Sequence, residues 1–355
     1  MKPLILPVFL PNLGCMERCI FCNQKAVARE VPSPACVREF IRASLNQFAS
    51  NPRTERQIAF YGGSFTAVPK EAQRSYLEET LPFLASGMIH SVRISTRPDA
   101  LDEEILHLLK EHGVKTVEVG AQSMVDEVLL LSRRGHSAED IHSAVARLKH
   151  WGFEVGIHLM IGLPGDSLDR FLQTLDQAIG LKPDFLRIHP VLVLKGAPLE
   201  ALWREGNYSP LTLEEAIQWL KRGLMKMEET SIPVARMGLQ PTKDLEDFYL
   251  AGPYHPALHQ LVDSEIYFDL AAHLLDGHYC NELDPRFFCH PGEVSNVRGQ
   301  KNKNLQKLKE YCGVKRIDIQ GREGIPRGSL VLQTGSGEIS TRRGDFSLSY
   351  PALAE

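Results

Sequence analysis

Absent from the 355 residues is any apolar run approaching the ~20 residues that a membrane-crossing helix requires. The opening Met1-Lys2-Pro3-Leu4-Ile5-Leu6-Pro7 is short and broken by prolines, so it reads as neither a secretion signal nor an anchor. Positive charge is not in excess: 40 basic residues face 44 acidic ones, and the net charge of −4 excludes a basic nucleic-acid binder over the whole molecule. Cysteine is scarce, seven in all, and odd in number, which argues against a disulfide scaffold and for a reducing, cytoplasmic setting. No short-period repeat is present. The remaining composition, 43% hydrophobic and 24% charged, is that of an ordinary globular chain, long enough for one large α/β domain and a smaller second one.

The few cysteines are concentrated. Cys15-Met16-Glu17-Arg18-Cys19-Ile20-Phe21-Cys22 is a CxxxCxxC run. Three thiolates on one short loop can hold three irons of a [4Fe–4S] cube and leave the fourth open. An open iron can chelate the amino and carboxylate groups of S-adenosylmethionine (SAM) and pass an electron to its sulfonium. Ferredoxin-type clusters want four cysteines, and Cys36 lies 14 residues on, behind Pro32 and Pro34. Structural zinc wants two separated ligand pairs; Cys19 and Cys22 form one such pair, and no second follows. Inert buried thiols are the remaining alternative.

Apolar, β-rich runs alternate with helical patterns about every 30 residues. Strands are expected at Leu4–Leu10, Gln57–Tyr61, Val92–Ser95, Thr116–Gly120, Glu154–Ile161 and Phe185–Val191. Helices are expected at Ala35–Ala49, Lys70–Leu84, Asp102–His112, Ala138–Trp151, Ser167–Ile179 and Leu213–Glu229. Six βα units imply a parallel sheet. Six are too few for a closed eight-stranded barrel, so the expected fold is α/β, a partial, TIM-like (βα)6 barrel over residues 1–240, with a small α+β region at 241–355. In such folds the chemistry sits at the C-terminal strand ends.

The residues that carry chemistry fall at those ends. Gly62-Gly63-Ser64 follows strand two, and glycines there let backbone approach a ligand; a plain turn is the bland alternative. Ser95 ends strand three. Gln122 ends strand four and offers a donor and an acceptor, suited to a ribose hydroxyl or a carboxylate. Arg134 can fork onto a carboxylate, or be a surface arginine. His158 lies in an apolar strand, as a hydrogen-bonded core residue or a ligand contact. Gly162-Leu163-Pro164-Gly165 makes a rigid turn after strand five.

Together these motifs resemble the radical SAM superfamily. The stretch 117–165, with Glu118-Val119-Gly120-Ala121-Gln122-Ser123, Arg134-Gly135-His136 and Gly162-Leu163-Pro164-Gly165, is similar to the core shared by the catalytic subunit of Elongator and the oxygen-independent coproporphyrinogen oxidases. Thr96-Arg97-Pro98-Asp99, Pro190-Val191-Leu192-Val193-Leu194-Lys195-Gly196 and Leu202-Trp203-Arg204-Glu205-Gly206 resemble the Elongator branch. The resemblance implies a catalytic [4Fe–4S] cluster on Cys15, Cys19 and Cys22. It implies SAM contacts at Gly62, Gly63, Ser64, Gln122 and Arg134, together with Ser95 and His158, and an adenine covered by Phe21 and the 162–165 turn. An electron donor such as flavodoxin or ferredoxin goes with that chemistry. The sequence departs from both relatives at Ser95, where they carry glutamate, and from the oxidases at His158, where they carry aspartate. It lacks the Elongator subunit's N-terminal extension and its acetyltransferase domain, and reads as a shortened Elongator-like protein.

The last third has its own character. From Val294 to Gln320 there are seven basic residues against two acidic, which leaves −9 for the rest of the chain. The segment reads as strand (294–297), basic loop, helix (304–311) and strand (314–320), the order of a small KH-like RNA-binding module, with 298–316 as the RNA contact. Short strands are expected over 330–350. Cys280, Cys289 and Cys312 stand at long, irregular spacings and read as ordinary thiols, with a second cluster or metal site, helped by His278 or His290, as the alternative. The expected function is a radical SAM enzyme that abstracts hydrogen from a substrate, an RNA base being the first choice. A tetrapyrrole-like small molecule is the alternative substrate, and a non-catalytic iron–sulfur carrier or sensor the alternative class. Gly63→Val is expected to block SAM and spare the cluster.

Overall fold

The computed structural model describes residues 3–15, 19–23, 30–47, 55–278, 284–335 and 337–349. It divides into two units, Met1–Thr212 with Ile232–Tyr254 and Leu213–Ser231 with His255–Glu355. The division therefore does not fall at 240. The helix at 213, expected to complete a sixth βα unit, belongs with the second unit.

The first unit is built on a seven-stranded sheet. Its strands are β1 (Leu4–Phe9), β2 (Arg56–Tyr61), β3 (Ser91–Thr96), β4 (Val114–Gln122), β5 (Glu154–Ile161), β6 (Phe185–Pro190) and β8 (Val234–Met237), in that spatial order. All neighbours pair parallel, and β1 and β8 remain open edges. The α/β partial barrel is thus observed, with one strand more than expected. β8 pairs with β6 through Leu186↔Val234 and Arg187↔Arg236. Four residues, one of them charged, carry no period-2 signal, so only the pairing reveals this strand. A two-stranded ribbon, β7 (Val193–Leu194) with β9 (Tyr249–Ala251), completes the unit's strands.

Its helices are α1 (Pro34–Gln47), α2 (Lys70–Glu78), α3 (Leu81–Ala85), α4 (Glu103–Glu111), α5 (Asp126–Leu131), α6 (Ala138–His150), α7 (Leu168–Gly180), α8 (Pro198–Arg204) and α10 (Lys243–Phe248). The start of α6 is fixed by a reciprocal cap, in which Ser137 accepts from the Asp140 amide and Asp140 accepts from the Ser137 amide. The single helix expected over 70–84 is two, because Pro82, which has no amide proton, starts a new helix after Thr80. Along the strands one set of alternating residues is apolar and buried: Ile58, Phe60, Val92, Ile94, Val117, Val119, Ile157, Leu159, Leu186 and Ile188. Helix α6 packs over β4 and β5. The other set carries polar groups on the inner face, an inversion of the all-apolar strands usual in buried parallel sheets.

The second unit has a mixed sheet in the order β11-β10-β12-β13, with β10 (Arg286–Cys289), β11 (Asp318–Gly321), β12 (Ser329–Thr334) and β13 (Gly337–Arg342). Its helices are α9 (Leu213–Met227), α11 (Leu258–His278), α12 (Val294–Arg298), α13 (Lys303–Cys312) and α14 (Arg343–Ser349). Val262, Ile266, Tyr267 and Leu270 of α11 are buried, as are Phe287, Leu330 and Leu332 of the sheet. Two expectations are corrected. Residues 294–297 form helix α12, not a strand, because Val297 is buried and Gly299, at φ +72°, stops the turn. The KH-like order is therefore not formed. Residues 343–349 are helical, anchored by Arg343, which reaches Glu228 (2.9 Å) and Asp263 (2.8 Å). No helix among the described residues is long and apolar enough to cross a membrane.

Candidate active site

The loop after β1 is pinned to the loop after β2, backbone on backbone. The Leu10 amide donates to Tyr61 O (2.7 Å), and the Ser64 amide to Leu13 O (2.9 Å). A Cβ on Gly63 would lie 2.1 Å from Leu13 O, and one on Gly14 2.2 Å from Ser64 O. Only residues without a Cβ let the two strands of backbone lie this close. The Ser64 hydroxyl joins a third loop: it pairs with the Thr96 hydroxyl (3.2 Å) and accepts from the Arg97 amide (3.1 Å). Of the predicted ligand contacts in this region, Gly63 and Ser64 thus make their observed contacts to protein. Gly62 adopts φ +99° and lies against the Leu10 backbone, which a Cβ there would meet at 3.4 Å, and Ser95 is half-buried at the end of β3.

The cysteine loop is held on its far side as well. The Ile20 amide donates to Ser132 O (3.3 Å), and the Leu199 amide to Ile20 O (2.7 Å). Ile20 is buried with Val128, Leu163, Val191, Val193 and Leu199, and Phe21 packs against that cluster. Phe21 and the 162–165 turn therefore meet in one apolar cluster through Leu163. The turn itself is fixed by Asp166, which accepts from the Gly162 amide (2.9 Å), and by Tyr208, whose hydroxyl donates to Gly162 O (2.6 Å).

Arg134 joins the cysteine loop to the sheet. Its Nη1 donates to Cys19 Sγ (2.9 Å) and its Nη2 to Gly120 O (2.7 Å), and the residue is buried. It is no surface arginine. Beside it the register of β4 against β5 slips between Gly120 and Gln122, and Gln122 takes φ +68°. That conformation is costly for a non-glycine residue and persists where the surroundings impose it. It turns the Gln122 side chain towards His158, whose Nδ1 lies 3.4 Å from Gln122 Nε2. Gln122 Oε1, Arg134 Nε and His158 Nε2 are buried with no protein partner among the described residues. Buried polar atoms of this kind carry a desolvation penalty until something bonds to them.

Cys15, Cys19 and Cys22 are the thiols expected to hold a [4Fe–4S] cluster; Cys19 is buried, and Cys15 and Cys22 are half-buried. Cys19 and Cys15 are close enough for one to influence the other: burial first, and then the Cys19 neighbour, push the Cys15 thiol up. The Cys22 amide donates to Cys19 O (3.0 Å). Among the described residues no group of three or more His, Cys, Asp or Glu side chains is already gathered to hold a metal ion, and residues 16–18, which join the first two cysteines, lie outside the described set. A metal cluster on these thiols would bind them deprotonated, and the Arg134 guanidinium donates directly to one of them, Cys19 Sγ. The donor chemistry, the Arg134–Cys19 contact and the unpartnered atoms fit a cluster with SAM beside it. Among the described residues no other cysteine is so placed. Cys289 is a core thiol pushed up to about 11 by burial, Cys312 ends α13, and Cys280 lies outside the described residues.

Below the site the inner face holds a polar network that the sequence reading did not single out. Glu118 is buried and accepts from Arg93 (2.8 Å), Arg187 (2.7 Å) and the Tyr61 hydroxyl (2.9 Å). Arg93 is also held by Gln57 Oε1 at 2.9 and 3.1 Å. Burial alone would raise the Glu118 carboxyl, but Arg187 and Arg93 hold it below the usual range. His158 and His189 stack edge to face at 4.5 Å. The signal for this network was one charged residue centred in each apolar strand: Arg93, Glu118 and Arg187.

Three histidines here are neutral. Burial and then Arg134 hold His136 down to about 4, burial and then Arg187 hold His158 down to about 3, and burial and then His158 hold His189 well below 6.5. Each takes up its proton near the ordinary value only on unfolding. Stability is therefore full above pH ~6.5 and falls towards pH ~4, by up to about 1.4 kcal/mol per pH unit for each such histidine. Urea midpoints at pH 7 and pH 5 check this; an unchanged midpoint contradicts it.

The likenesses to known proteins agree with this geometry. Residues 10–178 match the Radical SAM superfamily model and residues 183–267 the Radical_SAM C-terminal domain model. Over 240 residues the chain is 29% identical to a tRNA uridine(34) acetyltransferase of Methanocaldococcus infernus, covering 57% of this chain and 45% of that protein. It is 27% identical to protein YhcC of Escherichia coli, covering 56% and 63%. The fold matches the solved Elp3 of Methanocaldococcus infernus, with its N-terminus deleted, at TM-score 0.59 and 23% identity, covering 75% of this chain and 63% of that one. The chain spans about half the length of the acetyltransferases it matches. With the cysteine loop, the parallel partial barrel and both halves of the family signature in place, the chain belongs to the radical SAM superfamily, whose enzymes use a [4Fe–4S] cluster and SAM.

Proposed function

We propose that this protein cleaves SAM reductively at a [4Fe–4S] cluster held by Cys15, Cys19 and Cys22, and that the resulting radical abstracts hydrogen from an RNA base. The observation that carries the reading is Arg134, which bridges Cys19 Sγ and the end of β4 at Gly120. A cluster held by Cys15, Cys19 and Cys22 would supply the one electron that reductive cleavage of the SAM sulfonium needs. The chain's residues do the rest, by binding, orienting and excluding water. Arg134 sets a positive charge beside the thiolates and the SAM carboxylate. Gln122 and His158 turn their unpartnered Oε1 and Nε2 to the ligand. Gly62 admits the methionyl end, Ser95 stands at the rim, and Phe21 with the 162–165 turn keeps water from the adenine. A flavodoxin- or ferredoxin-like protein supplies the electron.

Two observations support RNA as substrate. Relatives of 26–29% identity are named tRNA uridine(34) acetyltransferases. In the second unit Arg298, Lys301, Lys303, Lys315 and Arg316 are exposed along 298–316, a basic strip suited to phosphates.

The test uses anaerobically reconstituted, dithionite-reduced protein. The EPR signal is expected to shift on adding SAM, with 5′-deoxyadenosine formed in the same tube, and Cys19→Ala is expected to lose both. A cluster signal indifferent to SAM, with no 5′-deoxyadenosine, would make the protein an electron carrier or sensor instead. No RNA binding even at low salt would remove the RNA half of the reading.

A further inference from the structure

The inner face of the barrel carries more positive charge than its acid can neutralise. Arg93 and Arg187 share one carboxylate, Glu118. Arg236, on β8, is the Cα partner of Arg187 on β6. Neighbouring strands run roughly 4.8 Å apart with partner side chains on one face, so the two side chains rise from the same face of the sheet. Arg236 makes its hydrogen bonds to neutral groups, Gly238 O (3.1 Å) and Gln240 Oε1 (3.0 Å). It has no acidic partner among the described residues. Apart from Glu118 on Arg187, the pair is faced by the Tyr61 phenol, over which the Arg187 guanidinium sits at 5.4 Å, and by the stacked rings of His158 and His189. Arg187 Nε and His189 Nε2 are buried with no partner among the described residues. Like charges placed together in a half-buried site repel unless an anion lies between them. Neutral histidine rings can donate to such an anion without adding a charge of their own.

We propose that Arg187 and Arg236, with His189, form an oxyanion subsite that takes a carboxylate or phosphate group of the substrate. This rests on the radical SAM reading, because the same strands place the subsite beside His158: Arg187 is the Cα partner of His158, and His158 that of Gly120. The pair clamps the charged end of the substrate, two guanidinium forks being suited to a two-oxygen anion, and so aims another part of it at the strand ends. Arg187 is spoken for on one side by Glu118, and Arg236, half-buried at the sheet edge, supplies the uncommitted charge. The clamp positions the substrate and takes no part in electron transfer.

Phosphate and acetate are the probes, titrated separately into the full-length reconstituted protein with saturating SAM and no reductant. The wild-type chain is expected to bind one of them saturably, and which one binds more tightly identifies the anion as phosphate or carboxylate. Arg236→Gln is expected to weaken that binding by about tenfold to a hundredfold, the worth of one charge-assisted bond. Arg236→Lys, which keeps the charge and loses the fork, should fall between. Arg236 lies outside the core, so these variants test the site and not the fold. Saturable binding that Arg236→Gln leaves unchanged would place the anion elsewhere and overturn the proposal, as would the absence of any saturable binding. Loss of SAM affinity in parallel would assign the pair to the cofactor and overturn it as a substrate subsite. Binding is read without turnover, so a chain that fails to cleave SAM would refute the radical reading separately.

Discussion

Glu118→Ala is expected to destabilise the cluster-free chain by about 3–5 kcal/mol, the usual cost of stranding a buried ion-pair partner. The side chain is almost wholly enclosed, at 3% exposure, and accepts from Arg93, Arg187 and the Tyr61 hydroxyl. Its removal leaves two guanidiniums on the inner face with no acid, beside a third on Arg236 that has none already. Arg93 retains Gln57; among the described residues Arg187 keeps the face of the Tyr61 ring. Glu118→Gln preserves shape and one acceptor and removes the charge, so an intermediate loss separates electrostatics from packing. Urea unfolding of the three proteins is the measurement. A loss below 1 kcal/mol for the alanine variant would mean that the network is solvated and contributes little.

Gly63→Val is expected to abolish both cluster incorporation and SAM binding. The sequence alone suggested a variant that blocks SAM and spares the cluster, on the view that a glycine after strand two faces a ligand. The structure places the missing Cβ 2.1 Å from Leu13 O and 2.9 Å from both Leu10 O and Leu13 N. All three are backbone atoms and cannot swing aside. A side chain there pushes the loop after β1 off the loop after β2, two residues before Cys15, and breaks the bond from the Ser64 amide to Leu13 O. Overpacking costs typically 1–3 kcal/mol, here paid in the loop that carries the first cluster thiol. Iron content and the EPR signal, measured beside SAM binding, decide it. A variant with full iron and no SAM binding would restore the ligand-facing reading of Gly63.

The sequence by itself determined the alternation. Apolar runs at Ile58–Phe60, Val92–Ile94, Val117–Val119, Ile157–Leu159 and Leu186–Ile188 can only be strands buried on one face, and amphipathic helices between them force parallel pairing. It also determined the cysteine loop, the strand-end position of Gln122 and the place of His158 within strand five, because spacing and chain order are local properties. It did not reveal β8, since four residues without periodicity become a strand only when a neighbour offers its edge. Nor did it separate 294–297 from a strand, because one turn of helix and a short strand share the same apolar residues until a core decides which of them are buried. Only the tertiary structure turned Arg134 from a loop arginine into the contact on Cys19 Sγ, gave Gln122 its left-handed backbone, and set Arg187 beside Arg236 across strands 49 residues apart in sequence. The physical reason is the same in each case. A side chain's partner and its charge balance depend on which strand lies next to its own, and that register is fixed by the packing of the whole sheet.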